Sequence, residues 1–352
     1  MNKRRTQVKD IALKAGVSPA TVSRALSNKG LVAEPTLSRV LEAARQLNYR
    51  PNKAARSLRT QKSMVILLVV RDISNPFYLD IFKGVETVAQ EAGYTVLMCN
   101  TENQPEREAS YCSMLRDGYA DGMIVMTGRY PSGFAKEKSQ LNQFPTVVCL
   151  EIIESNPLPS IQIDNRKAAQ EATEHLIRLG HKRIAHICGP VPEIMSVLRR
   201  EGYRDAMAQA RLPIPEGYEP IGDFTVTKGA YLCRQIFSSL PIPPTALFVA
   251  SDTMAFGAIC ELYRLGFRVP DDISVIGFDD LEFGKSFFPP LTTIRQPCNA
   301  IGCRAMTLLL DVMAGKAHSN TVIEFPTELI LRQSTAPVAD QITYFHETSA
   351  HL

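Results

Sequence analysis

The stretch VKDIALKAGVSPATVSRAL, Val8 to Leu26, decides how this chain is read. Its apolar residues Ile11, Ala12 and Ala15 fall at helical spacing, Gly16 interrupts them, and Val22, Ala25 and Leu26 resume the pattern after Ser18 and Pro19. The order is helix, tight turn, helix. Ser18 suits the N-cap, because its hydroxyl accepts from the free amides of the next turn, and Pro19 suits the first helical position, where no amide partner is needed. Two short helices joined in this way can set the start of the second in the DNA major groove while the first braces the backbone. Ala20, Thr21 and Arg24 then face bases and phosphates. An ordinary helical hairpin inside a core has the same spacing, so the surroundings must decide.

Charge decides. Residues 1–62 hold 14 Lys and Arg against 3 Asp and Glu, a net +11, which leaves 25 against 33, a net −8, on residues 63–352. A cationic block on a helix-turn-helix is what a polyanion requires, because Lys and Arg neutralise phosphates and release condensed counterions. Pro35 to Leu47 adds a third helix, with Leu37, Val40, Leu41, Ala44 and Leu47 on one stripe to pack on Ile11, Val22 and Leu26. The result is an all-α headpiece over residues 1–50, near the lower size limit for independent stability. In YRPNKAARSLRTQKS, Tyr49 to Ser63, Pro51 stops the helix and Asn52 can cap a new one. Lys53 to Arg59 supplies only about two turns, too few for an isolated helix. Residues 51–62 are therefore either a basic linker or a hinge that folds when two copies meet on DNA, with Leu58 as an apolar wedge in the minor groove.

From Met64 the texture changes. MVILLVV, TVLMCN, GMIVM, TVVCL, SIQID, RIAHIC, ALFVA and SVIGF read as strands. Between them lie helical stretches at Phe77–Ala92, Arg107–Arg116, Asn165–Leu179, Arg200–Ala210, Lys228–Leu240 and Met254–Leu265. Unbroken apolar strands alternating with helices imply parallel sheets covered on both faces, and a core of this length divides into two lobes. Ligands of such sheets sit beyond the carboxyl ends of the strands. The polar residues there are Arg71 and Asp72, Asp164 and Asn165, Ser251 and Asp252, and Asp279 and Asp280.

Other classes fit poorly. MNKRRTQ leads into no apolar signal region, and the Met64–Val70 run is far too short to span a bilayer, so the expected location is the cytoplasm. Eight cysteines show no CxxC pair and are expected to be small buried hydrophobes in a reducing compartment, with no metal and no cofactor. There is no phosphate-cradling Gly-rich loop and no nucleophile elbow, and His175, His181 and His186 share no assured face, so catalysis is not expected. A periplasmic-type solute receptor would share the two-lobed core. The +11 block and the missing signal peptide argue against it.

The chain resembles the LacI/GalR family of bacterial transcription repressors from Val8 to about Thr335. The likeness rests on DIALKAGVSPATVSRAL, YRPNKAARSL, DISNPFY (Asp72–Tyr78), IDN (Ile163–Asn165), LGHKRIAHICGP (Leu179–Pro190), RREGY (Arg199–Tyr203), SDTMAFGA (Ser251–Ala258), DISVIGFDD (Asp272–Asp280) and PPLTTIRQP (Pro289–Pro297). GDFT at Gly222–Thr225, the PPTALF before Ser251 and the IGCRAMTLLLDVMAG helix look most like the nucleoside-responsive, cytidine-type branch. The resemblance implies a helix-turn-helix headpiece on an α/β core of two Rossmann-type parallel sheets, the type I periplasmic-binding-protein architecture. One lobe is expected over about 63–162 plus 295–322, the other over about 163–294 plus 323–336, with a loose tail at 337–352.

The resemblance also places functional residues. Ser18, Pro19, Ala20, Thr21, Ser23, Arg24 and Asn28 are expected to face DNA in the headpiece, and Asn52, Ala55, Leu58 and Arg59 in the hinge. Pro19 and Ala20 offer only apolar contact, to a thymine methyl for example, whereas Arg24 can grip guanine or phosphate. Asp72, Phe77, Asp164, Arg199, Phe224, Ser251 and Asp279 are expected to meet a small effector. An Arg and an Asp bracketing a cleft suit sugar hydroxyls, and the Phe224 ring can stack on a base or a sugar face. The implied partners are a pseudo-palindromic double-stranded operator, a nucleoside or sugar effector and a second copy of the chain. EIMSVL, Glu193–Leu198, departs from purine-type relatives in being largely apolar, which leaves sugar and nucleoside effectors both open. No leucine heptad follows Pro337, so a dimer is the expected assembly.

Overall fold

Gly16 sits in the left-handed region at φ +65° and closes helix α1 (Val8–Ala15), its amide bonding back to Ala12 O. The left-handed turn is one that glycine enters without steric cost. The computed structural model describes residues 6–27, 32–49, 62–128, 144–151, 158–191, 193–317 and 320–338. Asn28 and the hinge residues Asn52, Ala55, Leu58 and Arg59 lie outside them. The chain forms two compact units, residues 1–63 and 64–352.

In the first unit α1 leads through the turn to α2 (Pro19–Ser27) and then α3 (Glu34–Gln46). Ser18 Oγ accepts the Thr21 amide at 3.1 Å, so the expected N-cap forms. Ile11, Ala12, Ala15, Val22, Ala25, Leu37, Val40, Ala43 and Ala44 make the core. One member of the expected stripe departs from it. Leu41 is exposed, and Ala43, outside the expected stripe and on the opposite side of the helix, is buried.

The second unit holds two sheets. The first runs β10 (Val322–Phe325), β5 (Ser160–Ile163), β4 (Thr146–Cys149), β3 (Gly122–Met126), β1 (Val65–Val70), β2 (Thr95–Asn100), with parallel pairing throughout. The second runs β11 (Glu328–Ile330), β9 (Thr292–Arg295), β8 (Ser274–Asp279), β7 (Ala246–Val249), β6 (Ile184–Ile187), antiparallel only at β11. Helices α4 (Phe77–Glu91), α5 (Pro105–Arg116) and α11 (Cys298–Met313) accompany the first sheet. Helices α6 (Asn165–Arg178), α7 (Ile194–Gln209), α8 (Val226–Ser239), α9 (Asp252–Arg264) and the short α10 (Glu282–Ser286) accompany the second. β1, β3, β4, β6, β7 and β8 are buried along almost their whole length, as helix-covered parallel strands must be.

The chain passes between the lobes after β5, between β9 and α11, and between β10 and β11. The last passage corrects an expected boundary, since residues 323–325 stay in the first lobe, where Ile323 and Phe325 register with Ile161 and Ile163. β10 is an edge strand of alternating exposure, so no continuous apolar run marks its end. Helix α7 starts at Ile194, six residues before the sequence pattern suggested, because the apolar turn before Arg200 is itself helical. The tail begins later than 337, since the Val338 amide donates to Leu179 O at 3.0 Å. Five cysteines are buried as expected, but Cys260 is exposed and Cys298 and Cys303 are only partly covered. Among the described residues no helix is long and apolar enough to cross a membrane.

Candidate functional site

Helix α2 buries Val22 and Ala25 and leaves Pro19, Ala20 and Arg24 on the exposed side, with Thr21 and Ser23 half-buried. Arg24 lies back along the helix, its Nε 3.4 Å from Ala20 O. Ser18 Oγ is occupied by the Thr21 amide and by the Thr21 hydroxyl at 2.9 Å, so its first task is to hold the helix start. The exposed face of α2 is therefore polar at Arg24 and apolar at its first turn.

Between the two sheets of the second unit lies a cavity of about 320 Å³. It is walled by residues that follow strands of both lobes: Arg71 and Asp72 after β1, Leu150 and Glu151 after β4, Ser251 after β7, and Asp279 at the end of β8. Phe77 from α4, Glu193 and Arg199 from the start of α7, and Phe224 before α8 complete it. Six of the seven expected effector residues line this cavity.

Asp164 does not. It is exposed and caps α6, its carboxylate accepting the Lys167 amide at 2.9 Å. The next residue takes the inward position. Asn165 is buried, and its Oδ1 accepts from Arg199 Nε at 2.9 Å. Arg199 also donates through Nη1 to Ala250 O at 2.6 Å, lies 4.0 Å from Asp279 Oδ1 and rests 3.6 Å above the Phe278 ring. Gly202, one turn further along α7, makes this possible, since a Cβ there would fall on the Arg166 carbonyl oxygen. That close approach of α7 to α6 brings the two helices together where Arg199 meets Asn165.

Asp279 is buried and accepts from Gln296 Nε2 at 2.8 Å. Burial raises its carboxyl well above the usual range, with Arg199 pulling the other way. Behind it, Asp252 accepts the Thr293 hydroxyl at 2.6 Å and the Leu281 amide at 2.8 Å, which fixes the turn after β8. Ser251, also buried, caps α9 by accepting the Met254 amide at 3.3 Å. Phe224 is half-buried, its ring laid on the Gly189 backbone, where a side chain would collide with it. Leu150, Phe224 and Asp279 all have positive φ, at 58°, 67° and 126°. With Asn103, at φ 58°, four such non-glycine residues line the cavity from both lobes, the kind of strain that is found at binding sites.

The structure adds residues that sequence reasoning did not assign. Arg71, noted only as polar after a strand, is 5% exposed and pairs with Glu151 in its own lobe and Glu193 in the other. Burial pushes Glu151 up to about 7 against the pull of Arg71. Glu151 carried the same signal as Arg71, a polar residue directly after an apolar strand. Glu193 had none, because it sits at a helix start. The three histidines stay apart: His175 meets Thr335, His181 meets Thr245 and Ser274, and His186 stacks on Phe248. Among the described residues no cluster could hold a metal ion.

Comparison with known proteins bears on both units. Residues 7–52 match the signature of bacterial regulatory proteins of the lacI family, and residues 173–335 match a periplasmic binding protein-like domain. The chain is 40% identical over 328 residues to the HTH-type transcriptional repressor CytR of Escherichia coli strain K12, covering 93% of this chain and 96% of that one. It is 36% identical over 330 residues to the ribose operon repressor of Halalkalibacterium halodurans, covering 94% and 97%. A crystal structure of the lac repressor dimer bound to operator and the anti-inducer ONPF superposes with a TM-score of 0.84 at 28% identity, covering 95% of this chain and all of the other. The chain belongs to the LacI family of DNA-binding transcriptional repressors, with a type I periplasmic-binding-like core, and it is a regulator rather than an enzyme.

Proposed function

We propose that this repressor answers to a nucleoside such as cytidine and controls genes of nucleoside uptake and catabolism, acting in the cytoplasm as a homodimer. The observation that carries this reading is the meeting of Phe224, Arg199 and Asp279 on one cavity wall. The aromatic ring suits a base, and the Arg–Asp pair suits ribose hydroxyls. A volume of about 320 Å³ lies within the range of small-molecule sites, about 300 to 1,000 Å³. The 40% identity to a repressor named CytR supports the same ligand class.

In this mechanism two copies place their α2 helices in successive major grooves of a pseudo-palindromic operator. Arg24 reads guanine or phosphate, Thr21, Ser23 and Asn28 hold the backbone, and Pro19 and Ala20 make apolar contact. Residues 51–62 form the hinge, in which Asn52 caps the helix, Ala55 and Arg59 flank it, and Leu58 wedges the minor groove. Ligand entry draws the lobes together and shifts the hinge between its folded and unfolded states.

Calorimetric titration with cytidine, adenosine and ribose tests the ligand. Cytidine is expected to bind. Ribose binding without either nucleoside would establish the sugar reading, which the 36% identity to a ribose operon repressor favours. For the DNA side, Arg24→Ala and Leu58→Ala are each expected to weaken operator binding by more than about 1 kcal/mol in a gel-shift titration.

A further inference from the structure

The walls of the cavity carry more negative than positive charge, and the positive charge is already engaged. Arg71 spends its terminal nitrogens on Glu151 and Glu193. Arg199 directs Nε to Asn165 and Nη1 to Ala250 O, with Asp279 4.0 Å from Nη1. Asp72 and Asp223 bring the lining carboxylates to five against two guanidiniums. With Glu151 and Asp279 neutral, three carboxylates would still face two guanidiniums. An incoming phosphate therefore meets net like charge, and both lining guanidiniums already hold partners in the wall.

The Arg71 bridge is the part of this arrangement that can set selectivity. It joins the lobes, since Arg71 and Glu151 follow strands of the first sheet and Glu193 opens α7 over the second. Among the described residues its Nε is buried with no partner, and its terminal nitrogens are held by the two carboxylates. A guanidinium held between two carboxylates in a low-dielectric wall is unavailable to a third anion. We propose that the Glu151–Arg71–Glu193 bridge is a specificity determinant that admits uncharged ligands and rejects their phosphorylated forms. This rests on the cavity being the effector site, whatever the parent ligand.

The test has two arms. In the first, cytidine and cytidine 5′-monophosphate, and ribose and ribose 5-phosphate, are titrated as matched pairs. The phosphorylated member of the binding pair is expected to be weaker by about 100-fold in the wild type. In Glu193→Gln, which frees one face of Arg71, the gap is expected to shrink to about 10-fold. A wild-type gap below about 10-fold, binding of a phosphorylated member alone, or a gap unchanged in Glu193→Gln would overturn the proposal.

The second arm needs no parent ligand. Melting temperature is measured with inorganic phosphate against chloride at equal ionic strength. Glu193→Gln is expected to gain about 2 °C more from phosphate than the wild type, and Arg71→Met/Glu193→Gln to lose that gain. Glu151→Gln repeats the measurement from the other side of Arg71. An equal response in wild type and both single variants refutes the bridge as a charge filter. Failure of every nucleoside in the first arm removes the nucleoside reading and leaves the second arm to decide this one.

Discussion

Asp279→Asn separates what the cleft does for binding from what it costs the fold. The wild-type carboxyl is buried, 4.0 Å from the Arg199 guanidinium, and its own pKa is raised. At an effective dielectric constant of about 20, an ion pair at that distance gains about 4 kcal/mol. Removing the carboxylate from water costs several kcal/mol, and the raised pKa says that this cost prevails. A raised folded-state pKa means that the folded protein binds more protons than the unfolded chain, so stability falls as pH climbs from the unfolded value near 4 through the neutral range. The near-isosteric amide removes that penalty while keeping an oxygen for Gln296 Nε2. We expect Asp279→Asn to melt at or above the wild type at pH 8, by about 2–4 °C for a gain of about 1 kcal/mol, with the difference vanishing toward pH 4. Glu151 and Asp252 are raised for the same reason, so the slope is reduced rather than abolished. Ligand affinity is expected to fall by about 10- to 100-fold, because an amide is a weaker acceptor for a ligand hydroxyl than a carboxylate. Scanning fluorimetry across pH 5–9, with calorimetric titration of the ligand, reads both quantities. A variant that melts lower than the wild type at pH 8 while binding ligand normally would show that Asp279 is a structural residue and refute the reasoning.

Gly202→Val forces α7 away from the Arg166 carbonyl and is expected to cost more than about 2 kcal/mol in urea unfolding, with ligand binding lost as Arg199 leaves Asn165. Ser18→Ala removes the cap on α2 and should cost about 1 kcal/mol of headpiece stability, read from headpiece amide exchange while the core melt stays unchanged. His186 is fully buried, its Nδ1 donating to Phe248 O at 3.0 Å, and burial pushes it down to about 4. Its depressed pKa means that stability present above the unfolded value near 6.5 is lost as pH falls toward 4, so His186→Phe should flatten the acid limb of the melting profile by up to about 3 kcal/mol.

Much of this was legible because the relevant signals are local. The Ser18–Pro19 helix start, the alternating strands and helices and the polar residues after strands all follow from a few neighbouring side chains, and the structure places them accordingly. The misses have a common cause in geometry that is not local. Asp164 and Asn165 both follow β5, and that Asn165 turns inward to Arg199 of α7 while Asp164 caps its own helix depends on a partner 34 residues away in sequence. Leu41 and Ala43 lie on opposite sides of α3, and which side meets α1 and α2 depends on how the three helices cross, which the spacing within one helix does not give. Glu193 enters the site because the two lobes meet, and nothing in its own stretch of sequence points to Arg71.

The distribution of unfavourable features across the second unit argues for one purpose. The central strands are apolar and covered, and they meet the usual demands of a stable core. Several departures lie between the lobes, where Leu150, Phe224 and Asp279 with positive φ, buried Arg71 and Arg199, and the unpartnered Arg71 Nε and Thr253 Oγ1 all line one cavity. Strain of this kind costs about 1–3 kcal/mol per residue. Because these groups come from both sheets, a ligand that satisfies them must touch both lobes at once. On the proposed mechanism, contact with the ligand and closure of the cleft are then a single event. A ligand changes the balance between open and closed forms only through such differential contacts, and on the proposed reading they would be made by these cavity residues.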